Sequence, residues 1–596
     1  MKITFNKGFL RVLSCLLLIG LTVNSINIAY ACTLNNPKVN ADTAIVSSLR
    51  AEYRNGQVFI LWDEAGSNTQ DMRVYISSKP ITGKSLLQAK LLTDQLEPHS
   101  ADDWYEDSLQ CPRAKGPVRG WIIQPGREAL ERKGGLFVHT VLNTDPKLAY
   151  FAVLSKSQSQ SELRLGLNSM QKPVAVSVAP MQAIYQLTGP QPTANGKALA
   201  VYLHSHLSRP SGQLTYLFFG DSNMGWREGL PFKFKVTIKP NTVLLEPYDR
   251  VWINRKMGVE EAKANGTYDT QYKNIESWWY GTNSHINDAK LVATGTPTNY
   301  TERWILWAMQ WIQQNYGTNP NQVYAFGASM GTGILRMVLN NPARFASVDL
   351  LVPILDPFSE RNVGARMAPR VGSPESICYD GSKLSENLNT INTVLKAKTD
   401  LAPMLIRIGR SDQAVYWIRK PAFIKAAQDK KQQLLVGWDN GTHPTAMRKP
   451  HEGFPNWFDF SWYINHYALN KSFPVFTHCS LDDDPGNGQT NVGDTTGYIN
   501  HGVDWKIIDD SRSKYKIEVN IKHQHVTYPA YVDITPRRYQ QFAKKAKSPV
   551  YAYNINADGE VIEKKQLMPD KDGLITYNKF SITSPGGNTL VFERTK

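Results

Sequence analysis

After its opening segment the chain has no long hydrophobic run. No later stretch approaches the roughly twenty apolar residues that a membrane-spanning helix needs, so stable insertion in a bilayer is not expected. Cysteine is scarce, at five in 596 residues, with no C-x-x-C pair and no clustered histidines. A thiolate or imidazole metal site is therefore not expected, and nothing calls for another cofactor. Internal repeats and low-complexity tracts are missing too, which excludes solenoids and disordered scaffolds. The net charge of +15 is spread over the whole length instead of gathered in a basic block interleaved with aromatics. Nucleic acid is thus not an expected partner, and a solvated basic surface or an anionic envelope or polysaccharide is. What is present is a folded composition, 41% apolar and 20% charged, long enough for three or four domains.

The first thirty-one residues read as a cleavable signal peptide. Lys2, Lys7 and Arg11 form its positive start, "VLSCLLLIGL" its apolar stretch, and Ala29-Tyr30-Ala31 its cleavage site. Export to the periplasm or medium is the expectation. A lipid anchor on Cys32 is the lesser alternative, because Ala29 and Tyr30 fit a lipid-attachment box poorly. Cys32, Cys111, Cys378 and Cys479 then remain, an even number in an exported chain. Proximity in sequence favours disulfides Cys32–Cys111 and Cys378–Cys479.

Residues 44–180 read as a β-rich domain, with "GQVFILW" after an Asn55-Gly56 turn and alternation in "MRVYISS". Short strands between turn residues suggest a sandwich. The run "LRAEYRNGQVFILWDE…MRVYISSKPIT" resembles the opening of a fibronectin type III-like module, with Trp62 as its core tryptophan. Residues 182–470 change character. "KALAVYLHSH", "TVLLEPY", "QVYAFG", "SVDLLVPIL", "PMLIRIG" and "QQLLVGW" are short apolar runs with helix-like segments between several of them. That alternation predicts an α/β domain, a mostly parallel sheet with helices on both faces. The clearest helix is "TERWILWAMQWIQQNYG", whose Trp304, Trp307, Ala308, Trp311 and Ile312 share one face and whose end is marked by Gly317. "SLDDDPGNGQTNVGDTTG" reads as a linker, with Asp482, Asp483 and Asp484 too poorly spaced for a calcium loop. Residues 490–596 alternate like strands and read as a second sandwich-like domain.

The candidate chemistry lies at "VYAFGASMGTG", Val323 to Gly333. A nucleophile elbow needs a strand leading in, a helix leading out, and small residues beside the serine. "QVYAF", "GILRMVLNNPARFA", Gly327 and Gly331 fill those roles, making Ser329 the candidate nucleophile. Ser222 in "GDSNMG" is the weaker candidate, because Pro231 and an alternating pattern follow it instead of a helix. A serine needs a base, and the base an orienter. Asp412 follows the run "PMLIRIG" and His443 follows "LLVGW", so the order is Ser, Asp, His. Asp439 and His451 are the competitors, Asp439 being better read as a turn residue. One oxyanion donor would be the N–H of Met330. The second would come from the loop after "KALAVYLHSHLS", at Ser205, His206 or Leu207. Trp278, Trp279 and Tyr280 in "NIESWWYGTN" either line a substrate pocket or wedge the loop against the sheet.

The phrases "VYAFGASMGTGILRMVLNNPARFA", "IGRSDQAV" and "GTHPT" resemble the α/β-hydrolase superfamily, in its esterase-like serine hydrolase branch. The resemblance covers the central half of the chain. It implies a Ser329–His443–Asp412 triad, acyl-enzyme chemistry and no cofactor. His204-Ser205-His206 stands where that superfamily often has His-Gly-Gly. The arrangement resembles secreted bacterial esterases and depolymerases with accessory β-domains, whose substrate would be an ester, polysaccharide-linked or a polyester. A prolyl-oligopeptidase-like peptidase and a polysaccharide-binding pseudoenzyme are the alternatives.

Overall fold

A computed structural model describes residues 45–96, 134–187, 197–203, 214–218, 232–252, 274–447 and 452–594, short internal stretches excepted. The opening segment, Cys32, Cys111, Ser205, His206, Ser222 and His451 lie outside the described residues.

One ten-stranded sheet organises the centre of the chain. In chain order its strands are β1 (Ile184–Leu187), β2 (Ala198–Leu203), β3 (Leu214–Phe218), β4 (Phe232–Thr237), β5 (Thr242–Pro247), β6 (Val323–Ala328), β7 (Ser347–Leu351), β8 (Met404–Gly409), β9 (Leu434–Asp439) and β10 (Gly497–Ile499). Across the sheet the order is β10-β9-β8-β7-β6-β2-β5-β4-β3-β1. The six strands from β9 to β5 run parallel. β10 and the β4-β3-β1 end are antiparallel.

Near-continuous apolar runs suit strands buried on both faces. Alternation sends Val323, Ala325, Val348, Leu350, Ile406 and Val436 into one core and Tyr324, Phe326, Leu405 and Leu435 into another. The first face is covered by α1 (Tyr300–Tyr316), α2 (Ile334–Asn340), α3 (Arg361–Met367), α4 (Leu384–Leu388), α5 (Thr390–Lys396) and α6 (Lys420–Asp429). In α1, Ile305, Ala308, Met309 and Ile312 are buried at three-and-four spacing, and Gly317 ends the helix. The side chains of Trp304, Trp307 and Trp311 lie outside those described.

The second face departs from the expectation of helices on both sides. Among the described residues one helix, α7 (Phe460–His466), packs there. The rest of the cover is β-structure from the end of the chain. A three-stranded sheet (Phe473–Thr477, Ala530–Arg537, Tyr577–Ile582) and a five-stranded sheet (Val503–Asp510, Lys514–Ile521, Asn588–Glu593, Val550–Ile555, Val561–Leu567) contribute Val475, Trp505, Ile517, Ile534 and Phe592 to the core that holds Tyr324 and Phe326. The chain also crosses the expected boundary twice. Phe473–Thr477 pairs with Asp533–Arg537, and β10 then returns to the edge of the central sheet. The apolar second face is the physical reason, since it needs a cover that α7 is too short to supply.

The segment read as a linker is a strap. The Arg410 guanidinium donates to the carbonyls of Thr490 (2.8 Å), Val492 (2.9 Å) and Asp494, and Trp438 Nε1–H donates to Asp494 O (2.8 Å). Asp482, Asp483 and Asp484 accept the backbone N–H groups of Asn500, Tyr498 and Gly486.

Towards the start of the chain, a three-stranded sheet (Ile45–Arg54, Gln57–Ala65, Gly135–Thr140) and a four-stranded one (Met72–Ser77, Lys90–Leu96, Leu148–Ser155, Val174–Ala175) share a core that includes Trp62, Val74 and Phe151.

The pairing Cys378–Cys479 is not formed, and both thiols are free and buried. Cys378 sits in the helix-covered core, accepting from Tyr280 Oη at 3.4 Å, whereas Cys479 sits in the core on the opposite face. Nearness in sequence does not carry two residues through a sheet.

Within that second core, Asp349 of β7 is fully buried between Arg407 of β8, with which it is ion-paired, and the donating Tyr463 hydroxyl. Arg407 also donates to Pro455 O (2.5 Å). Burial raises the Asp349 carboxyl above its ordinary value, and the Arg407 charge opposes that. Asp349→Ala leaves a guanidinium buried without its counter-ion, so a loss of about 3–5 kcal/mol in unfolding free energy is expected from urea titration. The conservative Tyr463→Phe removes a hydroxyl and no charge, and a smaller loss, below about 3 kcal/mol, is expected.

Candidate active site

Parallel strands deliver their following loops to one edge of a sheet, and three loops meet at the carboxyl ends of β6, β8 and β9. β6 runs out at Ala328, and Ser329 opens a 3-10 turn, Ser329–Gly333, that leads into α2. Ser329 has φ 52°, a left-handed conformation that few non-glycine residues adopt. The turn is so tight that a Cβ on Gly327 would lie 2.3 Å from Gly331 O. Thr332 Oγ1 bonds back to Ser329 O (2.5 Å) and accepts Ile354 N–H (2.9 Å), tying the turn to the loop after β7.

His443 Nε2 lies 2.8 Å from Ser329 Oγ, and His443 Nδ1 lies 2.6 Å from Asp412 Oδ2. A carboxylate only accepts, so Nδ1 carries the proton and Nε2 is free to accept from the serine hydroxyl. The Asp412 side chain is fully buried, and the imidazole is about one-quarter exposed. The other oxygen of Asp412 accepts the N–H groups of Ala414 (2.8 Å) and Val415 (2.9 Å). These bonds orient the carboxylate and satisfy its remaining lone pairs.

The base loop is clamped at both ends by Asp439, the last residue of β9. Its two oxygens accept Gly441 N–H (2.9 Å) and Met447 N–H (3.0 Å). Thr442 and Thr445 bond to each other's backbone and hydroxyl, which closes the turn that presents His443. The acid loop lies directly against it, for a Cβ on Gly409 would sit 2.4 Å from Gly441 O.

Met330 is buried within the elbow turn. Ser205 and His206 cannot be set beside it, lying outside the described residues. Trp278, Trp279 and Tyr280 are buried in the helix-side core. With Met330, Ile354 and Met367 they line a small cavity of about 30 Å³ behind the elbow. Trp278 and Trp279 both have left-handed backbones, at φ 54° and 59°. Asp249 holds that conformation, its carboxylate accepting Ser277 N–H (3.1 Å), Trp279 N–H (3.1 Å) and the Ser277 hydroxyl. Asp439 thus acts in the turn, as its sequence context suggests, whereas the clamp Asp249 was not legible as a site residue, because a lone aspartate in a loop carries no periodic signal.

The central domain is an α/β domain whose parallel strands bring Ser329, Asp412 and His443 together at one edge of the sheet. A family profile described as "Putative esterase" matches residues 267–459, the segment that holds Ser329, Asp412 and His443. That match supports a hydrolase of the esterase type. No curated protein matches the chain. Among solved structures, an S-formylglutathione hydrolase from Agrobacterium tumefaciens aligns at 12% identity over 42% of this chain and 76% of its own, TM-score 0.28. Propionate-bound esterase 2 from Thermogutta terrifontis aligns at 14% over 44% and 79%, TM-score 0.24. An acylaminoacyl peptidase from Pyrococcus horikoshii aligns at 12% over 68% and 52%, TM-score 0.28. No helix among the described residues is long and apolar enough to cross a membrane.

Burial pushes the Asp249 carboxyl up to about 7, against the lowering pull of the Ser277 hydrogen bond. A carboxyl raised in the folded state stabilises fully below its unfolded value near 4, and that contribution fades as pH rises towards 7. Between pH 5 and 8 the wild type should therefore lose more thermal stability than Asp249→Asn, which cannot titrate. Melting curves of the two proteins across that range provide the check, and parallel curves would contradict it.

Proposed function

We propose that the protein is an exported serine hydrolase that cleaves carboxylic esters through an acyl-enzyme. Ser329 Oγ attacks the ester carbonyl as His443 Nε2 takes its proton. Asp412 holds the imidazole in the required tautomer and offsets the charge of the imidazolium. The Met330 N–H is one donor to the oxyanion, with Ser205 or His206 as the second. The imidazolium protonates the leaving alcohol, and His443 then draws a proton from water as that water attacks the acyl-enzyme. The observation that carries this reading is the left-handed Ser329 with its hydroxyl 2.8 Å from an imidazole that is bonded to a buried carboxylate.

An esterase reading of the substrate rests on the family match at residues 267–459. A polysaccharide-linked ester is the class we favour. A polar cleft of about 620 Å³, lined by Asn299, Tyr379, Asp380, Glu386 and Asn387 among others, shares Arg336 with the cavity behind the elbow. Side-chain amides, carboxylates and a phenol supply the paired donors and acceptors that vicinal hydroxyls require.

A fluorophosphonate probe is expected to label Ser329, and Ser329→Ala should lower ester turnover by at least about a thousandfold. Wild-type protein that neither takes the label nor turns over any ester would contradict the reading. Faster cleavage of peptide amides than of short acyl esters would instead favour a peptidase. Glu386→Ala should raise KM for an acetylated oligosaccharide several-fold while leaving nitrophenyl acetate unchanged. Equal kinetics on both substrates would remove the cleft from substrate binding.

A further inference from the structure

A second cleft, of about 490 Å³, is lined by none of Ser329, Asp412 and His443. Three elements frame it: α7, residues 452–456 after the base loop, and residues 522–524, which leave the strand Lys514–Ile521. Leu435, the second residue of β9, also reaches it. The cleft therefore lies towards the amino end of the strand whose carboxyl end carries the base loop. Leu435 and Asp439 are about 13 Å apart along that strand.

Trp462 of α7 is the aromatic wall of this cleft. Its ring is stacked on that of His466, with centroids 4.3 Å apart, and Tyr463, Tyr467 and Trp505 meet it edge-to-face at 5.5, 5.6 and 6.3 Å. The indole is thereby fixed, yet it stays partly exposed. Beside it stands Asp504, with His466 Nε2 2.5 Å from Oδ1 and the Lys522 ammonium paired to Oδ2. Burial pushes the Asp504 carboxyl up, but the bonds from His466 and Lys522 outweigh this and hold it below its ordinary value. Asp459 accepts Trp462 N–H at 3.2 Å and so caps α7. His523 Nδ1 accepts His525 N–H at 3.0 Å, which leaves Nε2 as that ring's donor. Asn456 and Gln524 add two exposed amides.

We propose that this cleft is a second binding site, which takes the uncharged pyranose units of a polysaccharide and anchors the polymer apart from the reacting ester. A fixed indole suits the apolar C–H face of a sugar ring, and the amides, carboxylates and imidazole around it suit the hydroxyls at the ring's edge. The cleft's volume lies within the range of small-molecule sites, about 300–1,000 Å³. Charge argues against a polyanion. Among the described residues that line the cleft, Lys522 is the one lysine or arginine, and it is already paired with Asp504. Burial argues against an aliphatic chain or an apolar helix. Leu435, Phe454 and Val503 are only 7–8% exposed, so the wall offers no continuous apolar strip. A polymer held here would meet Ser329 at raised effective concentration. The inference goes beyond the serine-hydrolase reading and does not rest on it, since binding needs no turnover.

The test is affinity electrophoresis of the full chain in native gels that contain xylan, mannan or a mixed-linkage glucan, with polygalacturonate as the charged comparison. At least one uncharged polymer should retard the wild type. Trp462→Ala should raise the apparent Kd for that polymer at least about tenfold, and the double variant Asn456→Ala/Gln524→Ala at least about threefold. Should Trp462→Ala not fold, the double variant decides, because both of its side chains are exposed. Retardation by polygalacturonate alone, by none of the polymers, or undiminished in the double variant would overturn the inference. A protein that is retarded but cleaves no ester counts against the serine-hydrolase reading alone, whereas an active protein that is not retarded counts against this site alone.

Discussion

The left-handed turn at Ser329 is the constraint on which the site depends. A non-glycine residue in that conformation costs about 1–2 kcal/mol, so the surroundings must hold it there. They do so from several directions. Gly327 and Gly331 admit the close backbone approach, Thr332 ties the turn to Ile354, and Met330 fills the space behind. The turn lifts the hydroxyl off the end of β6 into the space where the loops after β8 and β9 converge. Without it the serine would follow its strand and face a neighbour in the sheet.

Around that turn, aspartates and glutamates serve mostly as acceptors for backbone N–H groups. Asp249, Asp439, Glu360 and Asp412 each take one or more amides of the loop that they govern. Irregular loops leave amides unpaired, and a carboxylate that accepts two of them replaces the missing ladder. The loops around the site are accordingly fixed by side chains where the strands are fixed by their neighbours. The segment from Asp356 to Ala402 joins this scheme. Its Asp356 and Glu360 bond to Arg419, Lys420 and Tyr416, which makes its beginning a wall of the acid loop.

Much of the central domain was legible because its signals are periodic or local. Unbroken apolar runs marked β6 to β9, and three-and-four spacing marked α1. Ser329, Asp412 and His443 stood out because each directly follows such a run, in one order. The clamps were illegible for the opposite reason, since Asp249 is 28 residues from Ser277 and Glu360 is 56 from Tyr416. The path of the chain after β9 was misread for a related one. "FPVFT" is an apolar run like those before it, and nothing in its residues says that it pairs with Asp533–Arg537 across the supposed linker. The cysteine pairing failed because distance along a chain says little once a sheet stands between two residues.

Tyr324 and Phe326, which flank the approach to the elbow, share their core with Trp505, Ile517 and Phe592. The C-terminal β-structure is therefore no accessory that a lineage could exchange as a cassette. Cutting the chain after α7 would expose the aromatic underside of the very strand that carries the serine. Any relative that has dropped this region must have rebuilt that surface, and any that has kept it inherits the geometry of the elbow and the stability of the fold as one trait.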